Sequence, residues 1–236
     1  MPNYSKVDHV IFDLDGLLLD TETFYMNTAV EICQSFGKTF TYQLREKVMG
    51  LPGPDNARCI VEMLQLPVSP EEYYALQKQK NKKLFATANL MPGAERLVRH
   101  LHSHGIPIAV ATSSSEESVN VKLTKHRELF SLFHHIVTAS SDPEVKRGKP
   151  NPDIFLVCAS RFPDKPNPEK CLVFEDAPNG VKAARAAGMQ VVMVPDESIS
   201  EESKRPATLV LRTLEDFKPE LFGLPAYTPT CVRRCE

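Results

Sequence analysis

Short apolar runs separated by longer amphipathic stretches set the rhythm of this chain. Residues 10–12, 106–111, 136–138, 172–174, 191–194 and 209–211 are too short and too evenly apolar for helices, and they read as strands. The first, Val10-Ile11-Phe12, runs straight into Asp13, Leu14, Asp15 and Gly16, as a strand buried on both faces and ended by a turn would. Elsewhere apolar residues recur at spacings of three and four, which predicts helices over 24–36, 41–49, 55–66, 70–86, 153–161 and 177–187. Another helix starts after Pro92-Gly93 with Leu97, Val98 and Leu101, and a polar helix follows Ser113-Ser114-Ser115. Gly37, Pro52-Gly53-Pro54, the stretch 67–70, Gly105 and Gly188 punctuate them. Strands alternating with helices make an α/β fold with a parallel sheet.

One interval breaks the alternation. From Asp20 to Thr112 the chain runs roughly ninety positions, whereas a strand–helix–strand unit needs about 30. The surplus is helical, so an insert is expected at 21–88, standing as a lid over the strand end that carries Asp13. The expected division is a core of 1–20 and 89–223, a helical cap of 21–88, and a flexible tail of 224–236.

The chain has 236 residues, with 28 basic and 30 acidic side chains. Near-zero net charge carries no footprint of a nucleic-acid or membrane partner. The start MPNYSKVDHV lacks a leader's basic and apolar regions, and no run is long enough to span a bilayer, so the expectation is a cytoplasmic monomer. Cys33, Cys59, Cys158 and Cys171 fall in apolar-periodic segments and read as small hydrophobes, and Cys231 and Cys235 as exposed thiols without zinc spacing. The run Lys78, Lys80, Lys82, Lys83 reads as the solvated side of a lid helix, and the pairs His100/His104 and His134/His135 as solvated faces.

Several strand ends carry chemistry. Asp13 and Asp15 follow the first strand, Thr112 and Ser113 the second, and Glu175 and Asp176 the strand Leu172-Val173-Phe174, while Lys149 lies in the loop RGKPNPDIF. Ligands bind beyond the carboxyl ends of strands in open α/β sheets, so these residues converge on one crevice. Any one of them alone is an ordinary turn or capping residue. A calcium loop of the EF-hand type is excluded, because Leu17 and Phe24 occupy ligand positions. Together, Asp13, Glu175 and Asp176 form a hard-oxygen cluster suited to Mg²⁺. Thr112 and Lys149 would neutralise phosphoryl oxygens. One carboxylate can then attack phosphorus while another carries a proton.

DLDGLLLD, ATS, GKPNPDIF and FEDAPNG, in that order and spacing, resemble the four motifs of the haloacid-dehalogenase-like phosphatases, and the similarity covers almost the whole chain. The resemblance implies a Rossmann-like core with a helical cap inserted after the first strand. It implies Asp13 as nucleophile, passing through an aspartyl-phosphate, and Asp15 as the acid and base that serves the leaving oxygen and then the water. Thr112, Ser113 and Lys149 would bind the substrate phosphate. Asp13, Asp176, Glu175 and the backbone carbonyl of Asp15 would hold Mg²⁺. For that cycle Asp15 must start protonated, its pKa raised by acidic neighbours and by burial. Outside the motifs, LMPGAE, HGIP, KCLVFEDAPNGV, AAGMQVVMVPD and PELFGLP resemble the branch acting on pseudouridine 5′-phosphate. That small molecule is the first substrate expectation, with other nucleotide or sugar phosphates next. A β-phosphoglucomutase-like phosphomutase uses the same core residues. A non-enzymatic phospho-receiver and a dehalogenase are disfavoured by the lid and by Asp15.

Overall fold

The structure is a computed structural model and describes residues 4–227. Cys231, Cys235 and positions 228–236 of the expected tail lie outside the described residues. Six strands are seen among the described residues: β1 (His9–Phe12), β2 (Ile108–Thr112), β3 (His135–Thr138), β4 (Cys171–Glu175), β5 (Gln190–Met193) and β6 (Leu209–Val210). All pair in parallel, in the order β3-β2-β1-β4-β5-β6. Between β1 and β2 lie α1 (Glu22–Ser35), α2 (Tyr42–Val48), α3 (Gly53–Leu64), α4 (Pro70–Phe85) and α5 (Ala94–Ser103). After β2 come α6 (Glu116–Lys122) and α7 (Arg127–Phe130). Further on lie α8 (Asp153–Ser160), α9 (Pro178–Ala186) and α10 (Glu201–Lys204).

Side chains alternate across a strand, and here both faces of the sheet are apolar. Val10, Phe12, Val110, Leu172 and Phe174 pack with Leu97, Leu101 and Phe130 of α5 and α7. Ile11, Ala109, Ala111 and Val173 pack with Phe155 of α8 and Val181 and Ala184 of α9 on the opposite face. Phe12 stacks on Phe174 with ring centroids 5.0 Å apart, fixing β1 beside β4. The expected solvated faces are only partly so: His100 Nε2 lies 2.8 Å from the Pro225 carbonyl, and Tyr227 covers both that ring and Arg96. Leu224 is buried in the same core.

Helices α1–α4 hold an apolar cluster of their own, built on Ala29, Ile32, Leu44, Ile60 and Tyr73. A capping box starts α4: Ser69 accepts from the Glu72 N–H and Glu72 accepts from the Ser69 N–H, with Pro70 in the first turn. The lysine run on α4 is exposed, as expected. The insert leaves and re-enters the core through two segments bound to each other, where the Asp20 N–H donates to the Asn89 carbonyl at 2.9 Å.

A second tie between insert and core is Arg45 of α2, whose guanidinium lies 2.9 Å from Asp196 and donates to Ser198 at 3.0 Å. Burial alone would raise the Asp196 carboxyl, but hydrogen bonds from Arg45 and Ser198 outweigh it and hold the pKa down at about 2. A depressed folded-state pKa contributes stability above the unfolded value, roughly 4, and that contribution is lost as pH falls towards the folded value. The thermal midpoint of Asp196→Asn should therefore fall less steeply than that of the wild type as pH drops from about 4 to about 2. Parallel midpoint curves would show that this pair contributes nothing to acid sensitivity.

Candidate active site

The register of the sheet assembles the site. Phe12 pairs with Phe174, so the first residues beyond β1 and the last of β4 emerge side by side, and the Asp13 N–H donates to the Phe174 carbonyl at 2.9 Å. This edge of β1 and β4 is also where the strand order reverses, the position at which open α/β sheets bind ligands. Lys149, almost fully buried, reaches in from the loop before α8. Its Nζ donates to Asp13 Oδ1 at 2.5 Å, to Glu175 Oε1 at 2.6 Å and to the Ala111 carbonyl at 3.2 Å. The N–H groups of Asp176 and Ala177 donate to Glu175 Oε2 at 3.1 and 3.2 Å, which locks Glu175 in place. Two glycines make room for these acids. A Cβ on Gly16 would lie 2.2 Å from Asp176 Oδ2, and one on Gly180 would lie 1.8 Å from Glu175 Oε1.

One oxygen from each of Asp13, Glu175 and Asp176 lies within 4.8 Å of the others. Three carboxylates face a single ammonium, an imbalance that a low-dielectric site tolerates poorly. Burial pushes Asp13 up to about 8; Lys149 opposes this, and Glu175 and Asp15 reinforce it. Burial, with Asp13 and Glu175 beside it, raises Asp176 as well. Asp176 Oδ2 is buried without a hydrogen-bond partner among the described residues. An orphaned carboxylate oxygen in a cluster of hard donors fits a small divalent cation of the Mg²⁺ type.

Asp15 has a separate environment. The chain turns at Gly16, with φ of +81°, so Asp15 stands just before a turn and beyond the end of β1. Its Oδ1 accepts from Thr21 Oγ1 and Lys122 Nζ, both at 2.5 Å, and its Oδ2 accepts from Ser114 Oγ at 2.8 Å and Thr112 Oγ1 at 3.3 Å. Lys122 is fully buried, bonded also to Tyr25 Oη at 2.9 Å and set 4.4 Å from the Phe85 ring centroid. Burial favours the neutral acid, yet the Lys122 charge and the hydrogen bonds from Lys122, Thr21 and Ser114 outweigh it and lower the Asp15 pKa. These contacts favour the ionised form of Asp15, where the resemblance implies that it starts protonated. The reason is Lys122, which the sequence reading passed over. Its signal was present: Val119 and Lys122 stand three apart on the buried side of α6.

A cavity of about 260 Å³ opens between insert and core. Asp13, Asp15, Asp176, Ser113 and Ser114 line its floor, and Glu22, Arg45 and Asn81 belong to its walls. Burial, with Asp15 nearby, raises Glu22 to about 7, while Arg45 and Lys122 pull it down. Thr112, Lys149 and Glu175 lie one layer behind the floor, bonded to the acids that form it. Ser113 Oγ donates across the gap to the Gly50 carbonyl at 3.0 Å, and Asn179 Nδ2 to the Met49 carbonyl at 2.9 Å. All the residues singled out from the sequence therefore meet at one end of the sheet.

A parallel sheet with paired acids beyond β1 and β4, covered by a helical insert, defines a class of hydrolase. A model of the haloacid dehalogenase-like hydrolase family matches residues 10–194, and the chain belongs to that family. It is 56% identical over 223 residues to a probable pseudouridine-5′-phosphatase of Drosophila melanogaster, covering 94% of this chain and 96% of that one. It is 48% identical to (DL)-glycerol-3-phosphatase 1 of Arabidopsis thaliana, over 94% of this chain and 75% of that one. Among solved structures, β-phosphoglucomutase of Clostridium difficile superposes with a TM-score of 0.74 at 25% identity, over 91% of this chain and 94% of that one.

Lys122 is the only ammonium bonded to the Asp15 carboxylate among the described residues. Breaking such a buried pair leaves a charge unbalanced. Lys122→Met should lower unfolding stability by about 3 kcal/mol in chemical denaturation. An unchanged midpoint at an unchanged slope would mean that Asp15 does not depend on this partner.

Proposed function

We propose that this chain is a Mg²⁺-dependent phosphomonoesterase acting on a small phosphorylated metabolite, with pseudouridine 5′-phosphate first and other nucleotide or sugar phosphates next. The observation that carries this reading is the acid cluster on Lys149 opening into a cavity roofed by the insert. Family membership and the relatives' names support it. The relatives differ in the substrate named, so the chemistry is supported more broadly than the leaving group.

Asp13 would attack phosphorus through a carboxylate oxygen, forming an acyl phosphate as the bond to the leaving oxygen breaks. Asp15 would give its proton to that oxygen. It would then take a proton from the water that attacks phosphorus, releasing phosphate and restoring Asp13. Thr112, Ser113 and Lys149 would steady the phosphoryl oxygens, Lys149 by shifting part of its bonding from Asp13 to the substrate. Asp13, Asp176, Glu175 and the Asp15 carbonyl would hold Mg²⁺, which supplies positive charge against the two anions brought together. Asp15 must acquire a proton for the first step, so its bonds to Lys122 and Thr21 must loosen as substrate enters. Residues 21–88 would act as the cap that admits substrate and then excludes bulk water.

No helix among the described residues is long and apolar enough to cross a membrane. The four described cysteines are free, in keeping with a reducing compartment such as the cytoplasm. A phosphomutase would return the phosphoryl group to a sugar, and free phosphate measured against isomerised sugar phosphate separates the two reactions.

Phosphate release from pseudouridine 5′-phosphate, uridine 5′-monophosphate and glycerol 3-phosphate should require Mg²⁺ and stop with EDTA. Asp13→Asn should lower kcat by at least about 10⁴-fold while the protein stays folded by circular dichroism. Undiminished turnover in that variant would remove Asp13 as nucleophile.

A further inference from the structure

Buried polar atoms nearly always find a partner, so an orphan marks a place where the protein is built to meet something. Besides Asp176 Oδ2, three such atoms belong to residues that line the active-site cavity: Arg45 Nε, Asn56 Oδ1 and Asn81 Nδ2. They come from α2, α3 and α4, one from each, so all are supplied by the insert and none by the sheet. The other polar atoms of each side chain are tied down. Asn81 Oδ1 accepts from Thr28 Oγ1 at 2.6 Å, and Asn56 Nδ2 donates to the Val48 carbonyl at 3.1 Å. The terminal nitrogens of Arg45 are engaged by Asp196 and Ser198. Two donors and one acceptor remain, on side chains whose other polar atoms are already engaged. Phe40, Ile60 and Tyr74 line the same cavity with apolar surface.

A polyol such as glycerol brings a hydroxyl on every carbon, and each would need a partner that an apolar wall does not supply. A planar ring with few polar atoms suits such a wall, because its faces pack on apolar side chains while its edge meets fixed donors and acceptors. A uracil-type ring presents two acceptors flanking one donor along its N3 edge, the complement of what Arg45, Asn56 and Asn81 leave unpaired; in pseudouridine, linked through C5, N1–H is a further donor beyond that edge. We infer that these three side chains recognise a pyrimidine-type ring carried by the leaving group, and so set substrate specificity from the insert. The inference rests on the phosphomonoesterase reading and adds to it the residues that choose the substrate.

Two conservative variants test it. Asn81→Asp keeps an acceptor for Thr28 but replaces the orphan N–H by oxygen, and Arg45→Lys keeps a cation opposite Asp196 but removes Nε. The readouts are the ratio of kcat/KM for pseudouridine 5′-phosphate to that for glycerol 3-phosphate, and inhibition of glycerol 3-phosphate hydrolysis by free pseudouridine. Each variant should lower the ratio at least about tenfold and weaken inhibition by the nucleoside to a similar extent. Thermal midpoints confirm that both variants fold. Ratios that stay at the wild-type value, or a wild type that hydrolyses glycerol 3-phosphate yet neither cleaves nor binds the pyrimidine compounds, overturn the inference and leave the phosphatase reading standing. Absence of phosphate release from every ester removes that reading itself, and this inference with it.

Discussion

Three buried carboxylates gathered around one ammonium is the constraint on which the rest of the structure turns. Asp13, Glu175 and Asp176 are held together by the pairing of β1 with β4, and Lys149 bridges two of them from a separate loop. Such a cluster is unfavourable in itself, since burial and mutual repulsion both oppose ionisation. It persists because the sheet beneath it is apolar on both faces and because two glycines let the backbone approach the acids. The residual negative charge is of the kind that a hard cation would balance.

Much of this was legible from the sequence, for a definite reason. Runs such as Val10-Ile11-Phe12 and Leu172-Val173-Phe174 are apolar at consecutive positions because both faces of their strands are covered. Polar residues at their ends therefore stand out against an apolar background. Asp13, Glu175 and Asp176 were found in this way, and the helical surplus after Asp20 located the insert. Lys122 was not found, because its burial depends on Tyr25 and Phe85 arriving from a part of the chain distant in sequence. The lowered pKa of Asp15 depends on that same closure, which acidic neighbours alone do not reveal. Short elements such as α7 and α10 also escaped notice, since four residues carry no readable period.

Insert and core meet through specific bonds. Gly50 and Met49 accept from Ser113 and Asn179, and Arg45 is paired with Asp196. At the other side of the cavity, Lys122 of the core lies against aromatic rings of the insert. These contacts link the position of the roof to the surroundings of Asp15.

The apolar cluster inside α1–α4 shares no buried residue with the two that brace the sheet. A change among those helices repacks that cluster without repacking the sheet, and reaches the strand ends only through the contacts between insert and core. The two halves of the protein can therefore evolve at different rates. Substitutions among the helices of the insert can reshape the cavity wall, while a substitution at the charged end of the sheet unbalances buried charges that have few other partners.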